Sequence, residues 1–176
     1  MMDPLWKKVQ DDDVEAFNEL YHTYVNQLYN YGSRFTSRSD IIKDTIQNLF
    51  IHFYQKRHDI NITTSVKAYL ITSMRRSIIA ALKDIHQHTD YDFSAQLEIV
   101  DPVEQNLIKD DERQELKSKL ESARDTLTKR QAEAIFLKFD SGLDYDEICD
   151  IMNLTKEASY KLVNEALKRL SKNFQK

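Results

Sequence analysis

Glycine and proline occur only twice each in this chain of 176 residues. An all-β protein needs turn residues every ~8–12 positions, and collagen-like or linker-rich chains need still more glycine and proline. Such scarcity leaves room for little besides helices. We therefore expect an all-α fold. A chain of 176 residues makes one ordinary domain or two small ones.

The sequence shows no feature of a secreted or membrane-inserted protein. Its single cysteine, Cys149, cannot form an intrachain disulfide, and the first residues lack the apolar core of a secretory signal. The longest apolar run, from Ile78 to Leu82, has five residues, whereas a membrane span needs ~20. We therefore expect a cytoplasmic protein without membrane insertion.

Patterns for catalysis, cofactors and metals are also missing. With two glycines the chain cannot build a glycine-rich phosphate loop, and it has no nucleophile elbow. The five histidines are scattered; His86 and His88 near Asp90 could form a metal cluster, but linker histidines are usually solvated. The prediction is a protein that is not an enzyme and uses no metal or cofactor.

Three amphipathic helices are predicted in the N-terminal half. Apolar residues recur every three or four positions from Val14 to Phe35, after the acidic residues 11–13, which can cap a helix. Similar patterns run from about Asp40 to Arg57 and from about Thr64 to His86. The predicted inward positions of the third helix are Val66, Leu70, Met74, Ser77, Ile78 and Ala81.

The periodicity disappears from His88 to about Glu104, which predicts a flexible linker. About 17 extended residues reach at most ~56–61 Å, more than one ~34–36 Å turn of DNA. The predicted organisation is a helical domain at 1–88, a linker at 89–104 and a second helical domain at 105–176.

The C-terminal half has the pattern of a helix-turn-helix. Thr128 and Gln131 have capping-box spacing, and Gly142 suits a left-handed helix end. A short helix near 145–152, a turn at 153–155 and a longer basic helix follow, as in helix-turn-helix DNA-binding proteins. The apolar positions predicted after Thr128 are Ala132, Ile135, Phe136 and Phe139.

Charge is distributed unevenly along the chain. The net charge of −4 alone disfavours nucleic-acid binding. However, residues 64–83 carry four basic side chains and no acid, and residues 155–176 carry six basic against two acidic ones. Residues 90–112 carry eight acids and one lysine. The positive charge therefore lies in two predicted helices that could meet phosphates.

The last helix is a candidate reader of duplex DNA. Helical spacing places Tyr160, Lys161, Asn164 and Lys168 opposite its apolar side, and such donors suit base edges and phosphates in a major groove. The alternative is an ordinary solvated face, and Glu157 and Glu165 favour that alternative. The predicted duplex contacts are Lys156, Ser159, Tyr160, Lys161, Asn164 and Lys168.

The third helix is a candidate surface for single-stranded nucleic acid. An aromatic ring can stack on an unpaired base while cations follow the phosphates. The alternative is an exposed helix face with a packed tyrosine. The predicted strand contacts are Tyr69, Thr72, Arg75, Arg76 and Lys83.

The second helix is a candidate protein interface. Asp40, Asp44, Gln47 and Ile51 fall within ~60° of one another on the helix, opposite its apolar side. Carboxylates beside an exposed apolar residue suit a partner's basic side chains and an apolar contact. The alternative is a solvated face with one stray isoleucine.

Four stretches carry a family resemblance. They are DVEAFNELYHTYVNQLYNYGSRF, DIIKDTIQNLFIHFYQKR, VKAYLITSMRRSIIAALKD and LTKRQAEAIFLKFDSGLDYDEICDIMNLT. In this order they resemble sigma factors of the extracytoplasmic-function type, small two-domain bacterial initiation factors. The second stretch resembles the family's polymerase-docking helix, and the matching positions are Asp40, Asp44, Gln47 and Phe50.

The resemblance implies a fold, a function and partners. It implies a region 2-like helical bundle and a region 4-like helix-turn-helix that bind core RNA polymerase and direct promoter-specific initiation. The first domain would hold the single-stranded minus-ten region and the second the duplex minus-thirty-five region, with an anti-sigma factor as a further candidate partner. Arg76, Ala80 and Glu165 differ from the residues usual in the family.

Two other functions stay open at this point. A stand-alone helix-turn-helix regulator would bind DNA without polymerase, as a homodimer on a palindromic site. A helical protein-interaction module that no longer reads DNA would fit the net charge of −4 and the glutamates of the last helix.

Overall fold

The computed structural model describes residues 3–86 and 126–174. Within these ranges it contains seven α-helices, one π-helical turn and no β-strand, which confirms the all-α prediction. The chain divides into two compact units, Met1–Pro102 and Val103–Lys176. None of the described helices combines the length and apolar character needed to cross a bilayer.

Some predictions fall outside the described residues. These are the linker at 89–104, the acidic stretch at 90–112, and His88 and Asp90 of the possible metal cluster.

The N-terminal unit contains four of the helices. They are α1 (Pro4–Gln10), α2 (Val14–Gly32), α3 (Ser39–Gln55) and α4 (Val66–His86). The last three begin and end within three residues of the predicted bounds. Helix α1 was not predicted, because seven residues are too few to show a helical period.

Local sequence explains where the first two helices begin. The carboxylate of Asp3 accepts a hydrogen bond from Leu5 N at 2.9 Å, and Pro4 occupies the first turn of α1, where its missing N–H costs nothing. The carboxylate of Asp13 accepts a hydrogen bond from Ala16 N at 3.0 Å and caps α2, as predicted for the acidic residues 11–13.

Aromatic packing joins the helices of this unit. Trp6 and Phe53 are each 1% exposed, and their rings stack with centroids 4.4 Å apart. Near the C-terminal end of α2, Tyr31 is fully buried and meets Phe35 edge to face at 5.2 Å. Helix α1 therefore covers part of the core that α3 presents.

Gly32 allows a close approach of three helices. A Cβ atom there would lie 2.6 Å from Met74 Cε and 2.9 Å from Ile42 Cγ2. No side chain fits without displacing its neighbours, so the end of α2 can sit tightly against α3 and α4.

A polar cluster ties the α1–α2 turn to the segment after α3. The guanidinium of Arg57 donates through Nε to Asp12 Oδ1 at 2.7 Å and through Nη1 to Tyr54 O at 2.7 Å. His58 Nε2 lies 3.3 Å from the same Asp12 oxygen. Gln10 Nε2 donates to the carbonyls of Arg57 and Ile60. The guanidinium of Arg57 lowers the pKa of Asp12 below its ordinary value.

The described part of the C-terminal unit contains three α-helices. They are α5 (Lys129–Ile135), α6 (Tyr145–Met152) and α7 (Lys156–Phe174), with a π turn at Phe136–Asp140 after α5. Thr128 and Gln131 form the predicted capping box. Gly142 has φ +66°, which matches the predicted left-handed conformation.

The π turn overturns one prediction about the core. The 0, 3, 4, 7 pattern placed Phe139 inward, but its side chain is 58% exposed. A π turn holds more residues than an α turn, so the pattern loses its register there. Leu137 is fully buried in that part of the core.

A well-capped turn separates α6 from α7. Asp144 and Glu147 form a second capping box at the start of α6, with Glu147 N donating to Asp144 Oδ1 at 2.8 Å. Asn153 ends α6 in a left-handed conformation with φ 52°. Thr155 Oγ1 then accepts from Ala158 N at 3.2 Å at the start of α7. The predicted helix-turn-helix is present.

Candidate polymerase and nucleic-acid interfaces

The predicted protein-interface residues share the solvent face of α3. Asp40, Asp44, Gln47 and Ile51 are all exposed, and Ile51 is unusually open for an isoleucine at 46%. Arg38 Nη2 donates to Asp40 Oδ2 at 2.7 Å, which lowers the pKa of Asp40. Asp44 makes no ion pair within the described residues.

An apolar groove of about 680 Å³ runs beside this face, between α2 and α3. Gln47 and Ile51 belong to both the exposed face and the groove. Phe50 is only 3% exposed, so it can meet a partner through the groove alone. The groove is lined by Phe17, Tyr21, Val25, Asn26, Tyr29, Lys43, Ile46, Gln47, Phe50, Ile51, Tyr54 and Gln55.

Aromatic contacts hold the walls of the groove. Tyr21 meets Phe50 edge to face at 4.8 Å, and Phe17 lies 4.7 Å from the ring of Tyr54. The guanidinium of Arg57 lies 4.2 Å from the centroid of Tyr54. Rings fixed in this way form a preorganised surface, so a bound partner would order few side chains.

The predicted strand-contacting residues on α4 differ in exposure. Arg76 and Lys83 are exposed, whereas Tyr69 and Arg75 are half-buried. The ring of Tyr69 leans on Phe53, with centroids 5.5 Å apart. Thr72 Oγ1 donates to Ala68 O at 2.7 Å, so its hydroxyl proton is used within the helix.

The core side of α4 matches the prediction at most positions. Val66, Leu70, Met74 and Ile78 are at most 1% exposed. Ser77 was predicted to point inward but is exposed. At ~100° per residue it lies at the edge of the apolar side of α4.

The predicted duplex-contacting face of α7 is largely at the surface. Tyr160, Lys161, Asn164 and Lys168 are exposed, as is Lys156 at the first position of the helix. Asp146 of α6 pairs with Lys156 at 2.7 Å, and its hydrogen bond raises the pKa of Lys156. This lysine is therefore partly neutralised by its own domain.

The prediction for Ser159 is wrong. Its side chain is fully buried, because at ~100° per residue it falls on the same side of α7 as Val163 and Ala166. It cannot touch DNA while the helix is packed.

The structure adds two residues that the sequence had not connected with this face. The rings of Tyr145 and Tyr160 stack with centroids 3.9 Å apart at 30°. Lys138 Nζ lies 4.7 Å from the centroid of Tyr145 and donates to Leu143 O at 3.1 Å. The only sequence signal was that a tyrosine lies near the start of each of the two helices of the helix-turn-helix.

The described residues contain no cluster of histidine, cysteine or acidic side chains suited to a metal ion. The free cysteine, Cys149, is half-buried.

Family models match both halves of the chain. Sigma-70 region 2 matches residues 20–87, and sigma-70 region 4 matches residues 117–170. The chain therefore belongs to the sigma-70 family of transcription initiation factors. Within that family it is an extracytoplasmic-function sigma factor.

Comparisons of whole proteins show the fold. No curated protein sequence matches the chain. The structure of CnrH in complex with the cytosolic domain of CnrY is similar, with a TM-score of 0.63 and 16% identity over 97% of this chain and 95% of that one. RpoE in complex with the anti-sigma factor NepR, from Bartonella quintana, gives a TM-score of 0.66 and 18% identity over 92% and 98%.

Proposed function

We propose that this sigma factor binds core RNA polymerase and directs initiation at its own promoters, with α4 meeting the melted strand and α7 the duplex. The observation that carries the proposal is that one chain combines a helix-turn-helix with an exposed donor face and a separate helix, α4, whose residues 66–83 carry four basic side chains and no acidic one. Initiation presents both duplex and melted DNA, and these two surfaces suit the two states.

For the polymerase contact, the proposal combines the exposed face of α3 with the adjoining groove. Asp44 offers a carboxylate that no cation of the described residues pairs, while Ile51 and Gln47 lead into the apolar floor. Apolar surface rimmed by polar groups is typical of the strongest part of a protein interface. Asp40 contributes less, because Arg38 already holds its carboxylate.

For the melted strand, the proposal uses Tyr69, Thr72, Arg75, Arg76 and Lys83. Phe53 fixes the ring of Tyr69, and the part that remains open can stack on one base. Arg76 and Lys83 are exposed and can follow the phosphates. The hydroxyl oxygen of Thr72 keeps lone pairs that can accept a hydrogen bond.

The proposal also covers the domain boundaries, the cellular location and a further protein partner. We place the domain boundaries at 1–88 and 105–176, joined by residues 89–104. The chain acts as a non-enzymatic regulator in the cytoplasm, where polymerase and chromosome lie. In the similar structures, RpoE is bound to the anti-sigma factor NepR and CnrH to the cytosolic domain of CnrY. An anti-sigma factor is accordingly a candidate partner here.

Co-purification with core polymerase, followed by transcription from a genomic DNA library, tests the function. We expect a stable complex and transcripts that start at a limited set of sites. A homodimer that binds a palindromic site without polymerase would instead establish a stand-alone regulator. Polymerase binding without any specific transcript would establish an interaction module.

The polymerase contact is tested by Asp44→Arg and Gln47→Ala in a pull-down titration with core polymerase. Both substitutions should weaken binding to core polymerase. Since both residues are exposed, the free energy of unfolding should stay within ~0.5 kcal/mol of wild type. Asp59→Arg is a matched control, because it makes the same charge change beyond the end of α3. Equal affinity for Asp44→Arg and Asp59→Arg would contradict the assignment.

The strand contact is tested by Tyr69→Ala and Arg76→Ala, with permanganate footprinting of the melted region. Loss of one base stack costs ~1–3 kcal/mol, so melting should fall more than initial duplex binding. Lys56→Ala, which removes an exposed cation directly after the end of α3, is the control. Normal melting together with weaker duplex binding would show that α4 contacts duplex instead.

A further inference from the structure

The stacked tyrosines fix an aromatic ring on the surface of the second helix of the helix-turn-helix. Tyr145 is the first residue of α6 and Tyr160 lies in the second turn of α7. Their centroids are 3.9 Å apart, yet Tyr160 stays 42% exposed. Lys138 holds Tyr145 in turn, through its ammonium 4.7 Å from the ring and its hydrogen bond to Leu143 O.

Such a ring is prepared for binding before DNA arrives. An exposed side chain ordinarily loses rotamer freedom when it is trapped in an interface. Tyr160 has lost that freedom already in the stack with Tyr145. The first turns of the second helix are also the part of a helix-turn-helix that contacts base edges in the major groove.

The chemistry of the ring narrows what it can read. Its neighbours on α7, Lys161 and Asn164, are polar and exposed and can donate to phosphates or bases. The ring of Tyr160 is apolar apart from its hydroxyl group. In the major groove the C5-methyl group of thymine is the apolar feature that base edges present.

We propose that Tyr145 is a positioning residue that holds Tyr160 as the reader of a thymine methyl group in the duplex promoter element. The inference rests on the proposed function of α7 and deepens it by naming a base and the pair of residues that select it. Neither residue needs a charge for this role, so the preference should persist as salt rises while phosphate contacts weaken.

Uracil scanning of the duplex element tests the proposal. Holoenzyme made from the full chain and core polymerase first selects duplexes from a random pool. Each thymine of the selected upstream element is then replaced singly by uracil, which removes only the methyl group. At one or two positions the affinity of wild-type holoenzyme should fall about fourfold, the equivalent of ~0.8 kcal/mol for one buried methyl-sized group.

Variants assign the effect to the tyrosine pair. Tyr160→Ala should lower affinity for the thymine duplex and bring the thymine-to-uracil ratio to about one. Tyr145→Ala should reduce the ratio although Tyr160 is present, and Tyr145→Phe, which keeps the stack, should restore it. Lys161→Ala should weaken both duplexes equally and leave the ratio unchanged, because a phosphate contact does not sense the methyl group.

The outcomes separate this inference from the function on which it rests. A holoenzyme that selects no sequence overturns both. A holoenzyme that selects a sequence but tolerates uracil at every upstream position overturns the methyl readout and leaves the function standing. A ratio that survives in Tyr160→Ala overturns the assignment to this residue. A ratio unchanged in both Tyr145 variants overturns its positioning role.

Discussion

Phe53→Ala should strongly destabilise the N-terminal unit, because Phe53 joins α1, α3 and α4. Its side chain is 1% exposed, stacks on Trp6 at 4.4 Å and supports Tyr69 at 5.5 Å. Truncating a buried phenylalanine costs ~3–5 kcal/mol. Each aromatic pair contributes ~0.5–1.5 kcal/mol beyond burial. Because Phe53 makes two such pairs, we expect a cost above the lower end of the ~3–5 kcal/mol range.

The expected loss is about 4 kcal/mol, out of the ~5–15 kcal/mol typical of a domain. With a urea m-value of about 1.5 kcal/mol per molar, the urea concentration at the unfolding midpoint should fall by roughly 2.7 M. Trp6 is the single tryptophan of the chain. Its fluorescence therefore reports the unfolding of this unit alone.

Two variants on the same helix control the measurement. Phe53→Leu keeps an apolar side chain but removes both ring contacts, and should cost about 1–2 kcal/mol. Ile51→Ala lies on the opposite, exposed side of α3 and should stay within ~0.5 kcal/mol of wild type. A Phe53→Ala loss under about 1.5 kcal/mol, or a similar loss in Ile51→Ala, would refute the role given to Phe53.

Two further predictions concern polar contacts. Because Arg57 lowers the pKa of Asp12, the carboxylate stabilises the fold above its ordinary pKa of 3.8, and this stabilisation is lost as pH falls through the lowered value. Asp12→Asn should therefore be less stable than wild type in urea titrations at pH 7 and equally stable at strongly acidic pH; a difference independent of pH would contradict the ion pair. Asp144→Ala should cost ~1 kcal/mol by removing the α6 cap, measured by thermal unfolding of the C-terminal unit, with Asp144→Ser recovering most of the loss; equal stability of Ala and Ser variants would argue against the cap.

Features that repeat along the chain could be predicted from the sequence. Helices α2 to α4 each carry four or more turns of apolar spacing, and the box at Thr128 and Gln131 is a local pattern within four residues. Both kinds of signal depend on neighbours in sequence. For the same reason the solvent face of α3, including Asp44 and Ile51, was placed correctly.

Features that depend on distant contacts or on one residue of register could not be predicted. The stack of Tyr145 on Tyr160 and the contact of Arg57 with Asp12 join residues far apart in sequence. The π turn differs from an α-helix by one step of hydrogen bonding, which was enough to turn Phe139 outward. Ser159 was misplaced as a DNA contact, although the helical period places it on the inward side with Val163 and Ala166.

Helix α1 lies outside the region matched by the family model but belongs to the folded core of the N-terminal unit. The match to the sigma-70 region 2 model begins at residue 20, but Trp6 and Val9 are at most 1% exposed, and Ala16 is 4% exposed. A fragment that begins at residue 20 would lack α1, so the ring of Phe53 and the apolar surface around it would be exposed to solvent. The smallest autonomous piece of this half therefore reaches back to Asp3, and domain swaps between relatives should be spliced upstream of α1.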